Sequence, residues 1–373
     1  MTVFHRFYRV FPLFLITALL LTGCSGGQDL WRTGSAAPGA KDGQATGDTV
    51  YAALPSSDDA GGPAIKAAIL LPLSGAHAAL GQSMLQAAQL AVFDLGYENF
   101  ELLPRDTAKG AGEAARSALH DGAQIILGPL FAEDVHSAKQ ATAGSNVNII
   151  AFSTDWSLAG PNTYIMGFLP FGQVDRITRY AAANGLKRPA IAAAADAYGT
   201  ATSSRFEEQA RLNGLTISRV LSDVNGYDSV FIPAGGNALS GILQRVTNKN
   251  AQKLGTGLWD DARIAAMPEM NGAWFAAPSP AARRDFETRF QATYGTKPQR
   301  LGTLAYDATA LVAALAKSGG FTAANITNPN GFAGVDGIVR FNNAGLAERG
   351  LAILEIRNGS IIERDPAPSS FVK

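Results

Sequence analysis

The sequence predicts an α/β protein of two lobes, each an open, doubly wound parallel sheet. Three observations predict it. Short apolar runs alternate with amphipathic stretches, the rhythm of βαβ units. The rhythm starts near Lys66, stops near Phe171 and then restarts, which makes two series. The apolar runs end in Gly, Ser, Thr, Pro or Asp, the residues that make turns and open helices.

The first series begins with a strand over 66–72, which stops at Ser74-Gly75. A helix follows over 80–94, with Leu85, Ala88, Leu90, Val92 and Leu95 as its apolar positions. A strand over 100–103 and a helix over 112–119 come next. The strand over 124–127 stops at Gly128-Pro129, and a helix covers 131–143. The strand over 148–152 stops at Ser153-Thr154.

The second series has a helix over 172–183 and a strand over 189–195, followed by Asp196 and Tyr198. A helix over 200–212 leads to strands over 215–221 and 229–233, the latter ending in Ala234-Gly235-Gly236-Asn237. A helix over 238–246 leads to a strand over 252–256, then Gly257, Trp259 and Asp260. The remainder offers strands over 273–277, 335–341 and 351–357 and helices over 281–294 and 301–317. These are too few for a core of their own, so they cross back to complete both lobes. The expected division is 64–165 with 278–322 for the first lobe, 166–277 with 323–360 for the second, and a tail over 361–373.

The N-terminus has its own pattern. His5, Arg6 and Arg9 precede an apolar run over 10–21, which is shorter than the roughly 20 residues of a membrane span. A basic start and a short apolar core read as a signal peptide over 1–23. The run stops at Leu21-Thr22-Gly23-Cys24, the form of a bacterial lipobox, in which Cys24 takes the lipid and becomes the mature N-terminus. Cys24 is the only cysteine, so no intrachain disulfide and no cysteine metal cluster is possible. Residues 24–63 are poor in large apolar side chains and read as a flexible tether, with a reach of roughly 30–37 Å. The expected location is a membrane-anchored lipoprotein facing the periplasm. Ser25, not Asp, follows Cys24 and is compatible with outer-membrane sorting.

Charge and motifs exclude several functions. The 31 basic and 31 acidic residues balance. Removing Arg6 and Arg9 with the signal peptide leaves 29 against 31, a net charge of −2 that gives no case for nucleic acid. The sequence has no P-loop, no HExxH and no complete GxGxxG. No His, Asp and Glu set has metal-ligand spacing, and nothing calls for a cofactor. The expectation is a protein that is not an enzyme.

In open α/β sheets, ligands bind beyond the carboxyl ends of the strands. The first lobe offers Ser74, Gly75, His77, Gly128, Ser153 and Thr154 at those ends. The second offers Asp196, Tyr198, Asn237, Trp259 and Asp260. Hydroxyls and backbone N–H groups on one lobe suit a carboxylate, while aspartates and aromatics on the other suit an ammonium or an apolar side chain. An amino-acid-like zwitterion is the expected ligand. The same residue types also cap helices and make turns, so each has a plain structural reading as well.

Ile69-Leu-Leu-Pro-Leu-Ser-Gly75 with Gly81, Ile125-Ile-Leu-Gly-Pro-Leu-Phe131 and Ala151-Phe-Ser-Thr154 resemble the first lobe of type I periplasmic binding proteins of the leucine/isoleucine/valine-binding kind. Gly255-Thr-Gly-Leu-Trp-Asp260, Leu304-Ala-Tyr-Asp-Ala308 and Gly334-Val-Asp-Gly-Ile-Val-Arg-Phe341 are most similar to the penicillin-binding protein activator lipoproteins within that group. The resemblance spans roughly 66–357. It implies two lobes joined by three crossovers and closing like a hinge. It also implies a small hydroxyl residue after the Gly-Pro turn in amino-acid-binding members, where this chain has Ala132. Two roles follow from the resemblance. One is docking on a penicillin-binding protein, a peptidoglycan synthase, as its activator. The other is delivery of an amino acid or similar small polar ligand to the permease of an ABC importer.

Overall fold

The structure is a computed structural model, and it describes residues 64–97 and 99–371. The signal peptide, Cys24 and the tether lie outside the described residues. The first lobe comprises β1 (Ile65–Leu71), α1 (Ala78–Leu95), β2 (Phe100–Asp106), α2 (Ala111–His120), β3 (Ile125–Leu127), α3 (Ala132–Ala141), β4 (Asn148–Ala151) and β5 (Thr163–Ile165). The strands form one parallel sheet in the order β2-β1-β3-β4-β5. In β1 every residue except Lys66 is buried, as a strand covered on both faces requires. Each Leu or Ile so buried stabilises the lobe by about 1.5–3 kcal/mol.

The chain then crosses to the second lobe. It forms α4 (Pro170–Ala183), β6 (Pro189–Ile191), α5 (Ala197–Leu212), β7 (Ser229–Phe231), α6 (Gly236–Arg245), β8 (Gln252–Gly255), α7 (Ala262–Ala265) and β9 (Trp274–Ala277). After a second crossing come α8 (Pro280–Tyr294), α9 (Gly302–Lys317), α10 (Ala323–Ile326), β10 (Phe332–Gly334), β11 (Gly337–Phe341) and β12 (Ala347–Arg349). A third crossing leads to β13 (Ala352–Arg357) and β14 (Ser360–Asp365). The second sheet runs β14-β13-β9-β8-β7-β6, with β6 to β9 parallel and the last two strands antiparallel. The fold is therefore the doubly wound, two-lobed α/β architecture the rhythm predicts.

Helix α9 carries apolar residues on most of its faces because it is enclosed. Leu304, Ala308, Leu311 and Leu315 face the first sheet's core, and the helix packs closely along α1. Helix α8 joins the same body, with Phe286 and Phe290 buried among Ala87, Leu90 and Ala91 of α1. Helix α1 ends at Gly96, whose φ of +57° is the left-handed cap that glycine adopts without strain. Among the described residues no helix is long and apolar enough to cross a membrane.

Three expectations are corrected. Of the segment 323–360 expected in the second lobe, β10 to β12 instead form a small antiparallel sheet whose Phe332, Val339, Phe341 and Ala347 are buried in the first lobe's core. The apolar side chains of this short sheet find their partners on α9 and the first sheet. Residues 361–365 are not tail but most of β14, paired with β13. The strand over 215–221 is reduced to one parallel bridge, Ser218 to Ala190. Arg219 and Val220 there are exposed, so no burial extends the pairing beyond the edge of β6.

Candidate functional site

The loops beyond the carboxyl ends of the strands are built as turns, and most of their polar groups bond within the protein. The Ser74 hydroxyl donates to Asp106 Oδ2 at 2.6 Å, and the backbone N–H groups of Leu73 and Ala108 donate to Asp106 Oδ1 at 2.9 and 3.1 Å. Burial opposes the Asp106 charge. The Ser74 hydroxyl and these N–H groups outweigh it and hold the carboxyl below its ordinary range. Ser74→Ala is therefore expected to destabilise the first lobe by about 1–2 kcal/mol in urea unfolding. A serine reserved for a ligand would leave stability unchanged on truncation.

The other first-lobe candidates are arranged similarly. Gly75 has φ +74° and, with His77, is exposed, and the His77 ring packs on Phe131 at 4.8 Å. Gly128 is buried with φ +81°, and a Cβ there would strike the Leu70 carbonyl, so this glycine answers to backbone packing. Ser153 is buried, and its Oγ accepts the Asp155 N–H at 3.1 Å. Thr154 is exposed towards the space between the lobes.

In the second lobe Asp196 caps α5 by accepting the Gly199 N–H at 2.6 Å. Asn237 is exposed in the first turn of α6. Trp259 corrects its assignment to the cleft. It is 0% exposed, its Nε1 donates to the Ala234 carbonyl at 2.9 Å, and its ring packs with Phe275 in the second lobe's core. The flat indole lies over Gly255, where any side chain would meet the ring.

One cavity of about 340 Å³ lies where the lobes meet. It brings together three of the expected residues, Thr154, Tyr198 and Asp260. Its apolar wall comes from Trp156, Phe168, Leu258 and the crossover prolines Pro170 and Pro278, none of which strand-end reasoning selects. The available signal was aromatic and proline residues in the connectors between lobes. Tyr198, Gln173, Asp260 and Arg300 among its polar members are paired within the protein. Tyr198 Oη lies 3.0 Å from Thr256 Oγ1, and burial pushes the phenol up to about 12. Gln173 donates to the Leu169 carbonyl at 3.1 Å and accepts the Gly257 N–H at 2.7 Å. Asp260 pairs with Arg283 at 3.0 Å and lies 3.6 Å from Arg300. Arg300 also pairs with the buried Asp336 at 3.2 Å and stacks over the Phe168 ring at 4.4 Å.

The arrangement can enclose a small, flat molecule, and it presents no nucleophile with an adjacent base. Among the described residues no group of three or more His, Cys, Asp and Glu side chains could hold a metal ion.

Residues 64–273, more than half of the chain, match the family model described as periplasmic binding protein. The chain belongs to that family. Solved structures of periplasmic binding proteins share its fold. A putative branched-chain amino acid ABC transporter from Rhodospirillum rubrum superposes with a TM-score of 0.70 at 17% identity, covering 81% of this chain and 100% of that one. A solute binding protein of an ABC transporter from Rhodopseudomonas palustris, in complex with 3,4-dihydroxy benzoic acid, gives 0.60 at 18% identity, with 83% and 98% covered. The LpoA C-domain from Haemophilus influenzae, a regulator of PBP1A, gives 0.60 at 16% identity, with 80% and 99% covered. At these identities the likeness is one of fold. No curated protein matches the sequence. These similar structures are of binding proteins and a regulator.

Proposed function

We propose that this periplasmic binding protein is a cell-envelope lipoprotein that regulates a peptidoglycan synthase by docking on it, with no chemistry of its own. The observation that supports this reading is the internal pairing of the groups an amino acid would need. Ser74 is bonded to Asp106, Asp260 to Arg283, and Tyr198 to Thr256. Ala132 brings no hydroxyl to the turn after Gly128-Pro129. A ligand would have to break these pairs before making its own, which lowers its net affinity. The lipid on Cys24 and the tether over 24–63 would hold the folded body near the membrane, within reach of a synthase.

A second reading rests on the cavity. Its aromatic wall and the Arg300 guanidinium suit a small aromatic acid, the class seen in the Rhodopseudomonas palustris protein. Its role would be that of a solute receptor for an ABC importer. A thermal-shift screen separates the two. The regulator reading expects no shift with any common amino acid, or with 3,4-dihydroxybenzoate, at millimolar concentration. A ligand present at 100 times its Kd would stabilise the fold by about 2.7 kcal/mol, and a rise of several degrees would favour the receptor reading.

A further inference from the structure

We propose that Asp260 is a latch that holds the two lobes together without a ligand. The carboxylate belongs to the second lobe. It follows Trp259, whose buried indole is fixed by its bond to the Ala234 carbonyl. The cations that meet it belong to the first lobe. Arg283 lies on α8, which is anchored on α1 through Phe286 and Phe290. Arg300 lies in the loop before α9, where Thr303 Oγ1 accepts from its Nη1 at 3.0 Å. Both guanidinium groups approach the same oxygen, Asp260 Oδ2, at 3.0 and 3.6 Å.

The pair is shielded. The Asp260 and Arg283 side chains are only 12% and 13% exposed, so solvent and salt screen their attraction weakly. The charges alternate through the cluster, Glu287, Arg283, Asp260, Arg300, Asp336, with Asp260 as the second-lobe member held among first-lobe partners. It also abuts the hinge. The ring of Phe168, in the first crossing, meets the guanidinium groups of Arg300 at 4.4 Å and of Arg349 at 5.0 Å. Arg349 ends β12, immediately before the third crossing.

Closure of two lobes requires an interaction stronger in the closed state than in the open one. Here the chain's own Asp260 supplies it, because the carboxylate and the two arginines come from different bodies. The latch is independent of whether a synthase or a small molecule engages the protein, and goes beyond either proposed role.

The test is an inter-lobe distance. Ala76 and Asn237 are exposed at strand-end loops of opposite lobes and accept cysteine-linked spin labels, in full-length chain whose Cys24 is changed to Ser. The expected result is one narrow, short distance distribution in the parent without ligand. Asp260→Asn shifts it to longer distances and broadens it. Asp261→Asn leaves it unchanged, since that side chain caps α7 and pairs with Arg263. Asp260→Asn leaves neither arginine without an acid, because Arg283 keeps Glu287 at 3.0 Å and Arg300 keeps Asp336 at 3.2 Å. If circular dichroism shows that this variant is unfolded, Arg283→Gln carries the test with the same expected lengthening. A folded Asp260→Asn or Arg283→Gln chain with the parent's distribution overturns the latch.

Discussion

Trp259→Ala is expected to lower the unfolding free energy by about 3–5 kcal/mol. The side chain is fully buried and packs against Phe275 at a centroid distance of 6.2 Å. Its ring also occupies the space above Gly255, where a Cβ would come within 2.5 Å of the indole carbons. Alanine leaves a cavity there that the strand backbone is too rigid to fill. It also leaves the Ala234 carbonyl without its 2.9 Å donor, a loss of about 1–3 kcal/mol within that total. Trp259→Phe narrows the contributions, since it keeps an aromatic ring in the site while removing the N–H with the rest of the indole. Urea unfolding of the three chains measures both, and the phenylalanine variant should retain at least half of the stability lost by alanine. A loss below about 1 kcal/mol for alanine would return Trp259 to the role of a cleft residue.

Asp307→Asn is expected to remove a pH dependence of stability between about pH 4 and pH 7. Asp307 lies on α9 beneath the hairpin of β10 and β11, and its carboxylate accepts the Val335 N–H at 2.7 Å. Gly334 passes so close that a Cβ would lie 2.5 Å from Oδ2. Burial first, and the Asp336 carboxylate second, push Asp307 from 3.8 up to about 7, against the pull of Arg349 and the two backbone N–H groups. The folded value lies above the unfolded one, so the native state holds the extra proton between them. The stability this group contributes is fully present below about pH 4, falls as pH rises to about 7, and is gone above that. The change amounts to roughly 4 kcal/mol at most. An amide has no proton to lose in this range. The difference in unfolding free energy between parent and Asp307→Asn should therefore slope across pH 4 to 7 and level off above. A difference that stays flat with pH would place the Asp307 carboxylate at its ordinary value.

The layered fold was legible because it is written in local pattern. The apolar run of β1 after Lys66 and the turn residues after each strand announce their environment within a few residues. Segments that failed depend on distant partners. Phe332 and Phe341 are apolar enough for either lobe, and only packing against α9 assigns them to the first. Leu215 to Leu221 has the composition of a strand, but nothing in its own sequence reports that no neighbour covers it. The candidate site was legible to the same limit. Fold geometry selected Thr154, Tyr198 and Asp260, which the structure brings to one cavity. It could not reveal that Ser74 meets Asp106, 32 residues away, or that Asp260 meets Arg283, 23 residues away. Free polar loop residues and internally paired ones have the same composition, and only the long-range contact distinguishes them.

Capture of the full-length protein from detergent-solubilised membranes of its own cells, followed by identification of what is bound, tests the proposed role most directly. The account predicts recovery of a peptidoglycan synthase, and faster glycan synthesis or cross-linking by that enzyme when the purified protein is added back. Recovery of an importer permease with no synthase, or a synthase whose rate does not change on addition, would contradict it.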